Sequence, residues 1–290
     1  MNDNLERHFA LITSTGATLR GDIRWNTRFT ESLKEHLPVV IVCHGFKAFK
    51  DWGPFPAIGL YFAEHGLISI VINFSHNGIG ENPRKFVEHE KFANNTISIE
   101  IDDIKTVLEE ITNGCFGLPF VDRKRIVLLG HSRGGAIALI TAKEDNRISA
   151  VVAWSTIAHF NRYTDEQKRR WREKGYIQLH SMSNHSLFRI NTTLLDDVEQ
   201  NAERLNIVTA VETLHKPLLI IHGSADIPAK IEEAEQLYAA ADKQRTQFVR
   251  LEGAGHMYGA KHPYKEESPT LNHVLEITTH WIHTHTQREV

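Results

Sequence analysis

The chain has 290 residues, and 33 Lys+Arg against 36 Asp+Glu leave a formal net charge of −3; the length suits one large α/β unit as readily as two small domains, and the charge argues against a nucleic-acid binder that relies on neutralising phosphates. Hydrophobic residues at 41% and charged residues at 24% exclude a largely disordered chain, and two cysteines, Cys43 and Cys115, are too few for a disulfide scaffold or a four-thiolate zinc site. The first twenty residues hold no continuous apolar segment of the signal-peptide kind and no stretch reaches the ~18 apolar residues of a membrane span, so the expected setting is cytoplasmic and away from membranes.

In chain order, residues 8–15 and 17–26 alternate apolar and polar side chains around Gly16, which predicts an antiparallel hairpin. Four runs follow that are apolar almost throughout, at 39–43, 67–74, 126–129 and 148–154. Continuous Val/Ile/Leu runs are the mark of strands with helices on both sheet faces. Between them, Ile97, Ile101, Ile104, Leu108 and Ile111 recur at four, three, four and three, one stripe of a helix over 96–112. Residues 134–143 are small and apolar, suited to a helix packed tightly on a sheet. Further strands are predicted at 217–222 and 247–251, and helices at 229–241 and 271–285. The alternation predicts a mostly parallel α/β sheet with the hairpin at one edge.

One stretch breaks this rhythm. Residues 157–206 contain no strand-like run, but Thr164 and Gln167 form a capping box ahead of DEQKRRWREKGY, and a second helix is expected near 194–205. An insertion this long with helices of its own reads as a lid over a site. Lys168, Arg169, Arg170, Arg172 and Lys174 make its first helix basic, either as a draw for anionic substrates or as an ordinary solvated face.

The chemistry centres on Gly130-His131-Ser132-Arg133-Gly134, a G-x-S-x-G flanked by the strand RIVLLG and the small-residue helix GGAIALITAK. In this strand–turn–helix setting a serine sits on a sharp turn with its hydroxyl lifted clear of the sheet, and flanking glycines let strand and helix approach. A serine nucleophile needs a base, and the base an orienting carboxylate, in the chain order Ser, Asp/Glu, His. Asp226 follows the strand predicted at 217–222, and His256 lies in a glycine-flanked loop after the strand at 247–251. Both positions fall at carboxyl ends of strands, where open α/β sheets place their sites. Asp226 is also placed to cap the following helix, and His222 and His262 are alternative imidazoles. For the developing oxyanion the backbone N–H groups of Phe46, after His44-Gly45, and of Arg133, directly after the nucleophile, are the candidate donors; His44 reads as a residue that fixes this loop. His76, in the loop after the strand at 67–74, and Trp52, beside the candidate oxyanion loop, are candidate substrate contacts. His280 and His283 lie three apart without a carboxylate or cysteine in register, so no metal is assigned.

HGF at 44–46, GHSRGG at 130–135, HGSADIP at 222–228 and GAGH at 253–256 together resemble the α/β-hydrolase superfamily, from about residue 38 to the end of the chain. Within it the sequence is similar to the bacterial carboxylesterase and dienelactone-hydrolase-like group, with some similarity to the catalytic domains of prolyl-oligopeptidase-type peptidases. The resemblance implies an eight-stranded, mostly parallel sheet flanked by helices with the second strand antiparallel, a lid after the sixth strand, and a Ser132–Asp226–His256 triad. Dienelactone hydrolases carry a cysteine where this chain has Ser132, so the lactone substrate does not transfer. H-G-F also departs from the H-G-G-G of many lipases. The expected protein is thus one α/β-hydrolase unit over 1–290, with the lid at about 157–206. It is a cofactor-free serine hydrolase of small or medium carboxylic esters, with a peptidase or amidase on the same residues as the alternative and a triad-bearing binding module as a third reading.

Overall fold

The computed structural model describes residues 3–30, 36–83, 85–180 and 187–287. Its main sheet has eight strands: β1 (Asn4–Ile12), β2 (Thr18–Asn26), β3 (Leu37–Cys43), β4 (Ile68–Asn73), β5 (Val121–His131), β6 (Ile148–Trp154), β9 (Leu218–Gly223) and β10 (Thr246–Leu251). They lie in the order β1-β2-β4-β3-β5-β6-β9-β10. β2 runs antiparallel to both β1 and β4, and the remaining pairs are parallel. This is the expected mostly parallel sheet with an edge hairpin and an antiparallel second strand.

The period of two along each strand explains why the central runs are apolar without a break. In β3, Val39, Ile41 and Cys43 face a core built with helices α3 (Ile97–Asn113), α4 (Arg133–Glu144), α7 (Ile207–Glu212) and α8 (Ile231–Ala240). Val40 and Val42 face the opposite core, against α1 (Phe55–Glu64) and α9 (Pro269–His285). Each strand residue therefore loses its water on whichever side it points. At roughly 1.5–3 kcal/mol per large apolar side chain, that burial fixes the register. The helical stripe of α3 falls where its periodicity predicted, capped by Thr96, whose hydroxyl accepts from the Ile99 N–H at 3.2 Å.

The insertion between β6 and β9 differs from its prediction in its strands and in the length of its second helix. The basic helix is present as α5 (Asp165–Lys174), with the Thr164–Gln167 capping box formed. After it, however, come two short antiparallel strands, β7 (Tyr176–His180) and β8 (Leu187–Asn191), in a stretch expected to hold none. Helix α6 (Thr193–Gln200) follows, ending earlier than its prediction; a five-residue helix α2 (His89–Ala93) and α1 were also not anticipated. The insertion has its own small core: Trp171, Phe188, Ile190 and Leu195 with Phe92, and with Phe46, Phe86 and Tyr163 packed against them. Trp171 is 1% exposed and donates its indole N–H to the Ile190 carbonyl at 3.1 Å, joining α5 to β8. Four of the five basic residues of α5 are in ion pairs: Lys168 with Glu199, Arg169 and Arg170 with Glu166, and Arg172 with Asp196 and Glu199; Lys174 lies over the Tyr176 ring. This is the solvated-face alternative. Among the described residues no helix is long and apolar enough to cross a membrane.

Candidate active site

Ser132 stands at the junction of β5 and α4 with φ 54° and ψ −123°, a conformation that costs a non-glycine residue roughly 1–3 kcal/mol and survives only where its surroundings over-determine it. They do so here. The Ser132 N–H donates to Trp154 O on the neighbouring strand at 2.9 Å, and Ser132 O accepts from the Gly135 N–H at 3.0 Å and the Thr156 hydroxyl at 3.1 Å. The glycines permit the contact: a Cβ on Gly130 would lie 2.2 Å from Gly134 O, and one on Gly134 would lie 2.5 Å from both Cys43 O and His44 O. Strand β5, helix α4 and the end of β3 can meet this closely only without those side chains.

Asp226 and His256 come together as the motif order predicted. The His256 Nδ1–H faces both carboxylate oxygens of Asp226, at 2.8 and 3.0 Å. The Ala229 N–H donates to Asp226 Oδ1 at 2.9 Å, which closes the turn ahead of α8; the helix itself begins later, with Lys230 at its N-cap and no side-chain cap, so Asp226 does not cap it. Burial pushes the Asp226 carboxyl up, but the hydrogen bonds from His256 and Ala229 outweigh it and hold the group below the usual carboxylate range. Buried His222 sits behind it, its Nε2 2.8 Å from Ala229 O and 3.4 Å from Asp226 Oδ2; it braces the Asp226 turn. His262 is elsewhere: its ring stacks on Trp52 at 5.4 Å, and its Nδ1 accepts from the Gly53 N–H at 2.9 Å.

His131, directly before the serine, ties the two halves of the site. Its Nε2–H donates to His256 O at 2.8 Å and the two rings lie 4.6 Å apart. Burial, reinforced by the neighbouring His256, pushes its pKa down to about 3, so it stays neutral in this contact. His44 is likewise buried and pushed down to about 4. Its Nδ1–H donates to Gly45 O at 2.8 Å, and its Nε2 faces the Phe74 N–H at 3.4 Å and the Asn77 side-chain amide at 3.3 Å. It joins the loop after β3 to the loop after β4, the bracing role read from the sequence. The main chain at Gly45 passes so near the serine that a Cβ there would stand 3.0 Å from Ser132 Cβ. Phe46 follows directly, and Arg133 opens α4, so its own N–H has no acceptor within the helix.

Beside Ser132 is a cavity of about 190 Å³, walled by Phe46, Arg133, Ile157, Phe160, Tyr163, Trp171, Leu194, Leu195 and Val198 among others. Most of these come from the insertion. Sequence reasoning did not find them, because they are ordinary apolar residues whose only signal was membership of that segment. Nor did it find the Arg133 side chain: the guanidinium lies over the Phe46 ring at 4.4 Å and pairs with Glu100, which is 1% exposed on α3. Burial raises the Glu100 carboxyl, and Arg133 offsets part of that rise. The two predicted substrate contacts are not among the cavity's walls. Trp52 packs on His262, and His76 Nδ1 is 2.8 Å from the Ser75 hydroxyl.

The sheet order and the turn that bears Ser132 define the molecule as an α/β hydrolase. The chain belongs to the prolyl oligopeptidase family, whose model matches residues 57–287. An uncharacterized peptidase, YuxL of Bacillus subtilis (strain 168), is 25% identical over 177 residues, covering 59% of this chain and 24% of the relative, so the chain spans about a quarter of that protein's length. Among solved structures, the α/β hydrolase GrgF from Penicillium sp. sh18 matches with a TM-score of 0.71 at 18% identity, over 97% of this chain and 99% of that one. Est1E from Butyrivibrio proteoclasticus matches at 0.65 and 17% identity, over 95% and 98%. These structural likenesses are likenesses of fold.

Proposed function

We propose that the protein is a serine hydrolase of small or medium carboxylic esters, working through an acyl-enzyme on Ser132, with residues 157–206 as the lid over its acyl site. Ser132 Oγ attacks the ester carbonyl carbon while its proton passes to His256 Nε2. Asp226, ionised and bonded to His256 Nδ1–H, holds the ring in the right tautomer and stabilises the imidazolium. The negative charge that develops on the carbonyl oxygen meets the N–H groups of Phe46 and Arg133 at the positive end of α4, each such donor being worth about 3 kcal/mol in a transition state. Collapse breaks the bond to the alcohol, which leaves with the proton from His256. Water, deprotonated by the same imidazole, then attacks the acyl-enzyme and releases the acid, restoring Ser132.

The observation that carries the ester reading is the cavity of about 190 Å³ beside Ser132. Its size is close to the ~150 Å³ that accommodates one benzene ring, and its walls are mainly apolar. It suits a short acyl chain or one ring better than a run of peptide. A solved form of Est1E has ferulic acid bound, an acid with a single aromatic ring. The second reading, a peptidase on the same residues, draws on the family match and on the description of YuxL. A fluorophosphonate probe is expected to label Ser132, and Ser132→Ala to lose both label and ester turnover. Matched p-nitrophenyl esters and p-nitroanilides separate the readings: anilide turnover equal to ester turnover would favour the peptidase. Unchanged turnover in Ser132→Ala would refute both.

A further inference from the structure

The cavity at Ser132 has a neighbour. On the outer side of the insertion lies a more open groove of about 490 Å³, whose apolar floor includes Ala158, Ala202, Leu205, Ile207 and Val208. The two spaces share Phe160, Asn161 and Val198 as walls. Asn161 is exposed, whereas Phe160 and Val198 are half-buried and pack against the larger core. Phe160 belongs to the segment that leaves β6 just after the serine's neighbour strand, and Val198 sits on α6. Two side chains from different elements thus stand where the cavity beside the serine and the second apolar space adjoin.

We propose that Phe160 and Val198 form a partition that sets the upper size limit of the acyl group, and that an acyl chain longer than about six carbons is excluded because the partition ends the cavity at roughly one-ring size. The outer groove is then a latent extension of the acyl site. This rests on the hydrolase reading above. Hydrophobic sites of this kind discriminate by about 10–200-fold per methylene, so removing the wall should change chain-length preference by at least about tenfold.

The test measures kcat/KM for p-nitrophenyl acetate, butyrate, hexanoate, octanoate and decanoate in the wild type, Phe160→Ala, Val198→Ala and Phe160→Trp. The readout is the decanoate-to-butyrate ratio within each variant, which cancels losses of active protein. The ratio is expected to be below one in the wild type and to rise at least about tenfold in Phe160→Ala and in Val198→Ala, while Phe160→Trp moves the preference toward acetate. If Phe160→Ala fails to fold, Val198→Ala carries the same comparison. Butyrate turnover by the wild type with a ratio unchanged within twofold in the alanine variants would overturn the partition and leave the hydrolase standing, as would be found if this cavity held the alcohol instead. Failure of the wild type to cleave any ester or to take up the probe would overturn the hydrolase reading itself.

Discussion

Asp103 on α3 offers a stability experiment whose size follows from the structure. The side chain is 1% exposed; its Oδ2 accepts the Ser75 N–H at 2.7 Å, and its Oδ1 has no hydrogen-bond partner among the described residues. Burial, with a smaller push from Glu100 and Asp102, raises the carboxyl from its usual 3.8 to about 7, against the pull of Ser75. The folded state therefore binds this proton more tightly than the unfolded chain. Stability associated with the group is complete below pH 4 and is lost as pH rises toward 7. At about 1.4 kcal/mol per unit, the full effect is about 4 kcal/mol, of which about 2.5 kcal/mol develops between pH 5 and 8. Asp103→Asn keeps an acceptor for Ser75 and removes the titration. Urea unfolding at pH 5, 6, 7 and 8 should show the variant gaining about 2.5 kcal/mol on the wild type across that range. Using the difference between the two proteins cancels the opposite trends from groups such as Asp22 and Glu144, whose carboxyls are held below their usual values. A difference that stays flat within about 0.5 kcal/mol would refute the reasoning.

Two further outcomes are expected. Asp226→Asn replaces the acceptor-only carboxylate that fixes the His256 tautomer with a neutral amide that can donate to Nδ1, and should lower ester kcat by about 10⁴-fold with the fold unchanged by circular dichroism; a loss smaller than tenfold would exclude Asp226 from the mechanism. Arg133→Ala strands the Glu100 carboxylate in the interior and should cost about 3–5 kcal/mol in denaturant unfolding, with Glu100→Gln in the same background recovering most of it. Failure of that second substitution to recover stability would mean that Arg133 acts by packing on Phe46.

The main sheet was legible because its central strands are apolar on both faces, as in Val39–Cys43 of β3, and because the stripe of α3 has an unbroken period. The motif residues were legible for a related reason. A sharp turn between strand and helix demands glycines at Gly130 and Gly134, and those leave a visible signature around Ser132. The pair β7/β8 was not. Each strand is five residues long, with only Ile177 and Leu179, or Phe188 and Ile190, turned to the small core, too brief an alternation to stand out in the sequence. The cavity walls were less legible still, since Phe160, Trp171, Leu194 and Val198 converge only through the packing of the insertion. His76 and Trp52 were assigned from the end of the sheet at which their loops emerge. That end was right, but side-chain direction is set by partners such as Ser75 and His262, which lie far away in sequence or leave no pattern.

Phe46 has a foot in two structures. Its ring belongs to the small core that holds the insertion together, stacked 5.8 Å from Phe92 and beneath the Arg133 guanidinium, while its own amide is, on the proposed reading, half of the cradle for the reacting oxygen. On that reading, an outward swing of the insertion would take away packing that holds the Phe46 ring, and with it part of what keeps the neighbouring amide aimed at the reacting oxygen. Opening to admit or discharge a molecule would then loosen the cradle, and shutting would tighten it again.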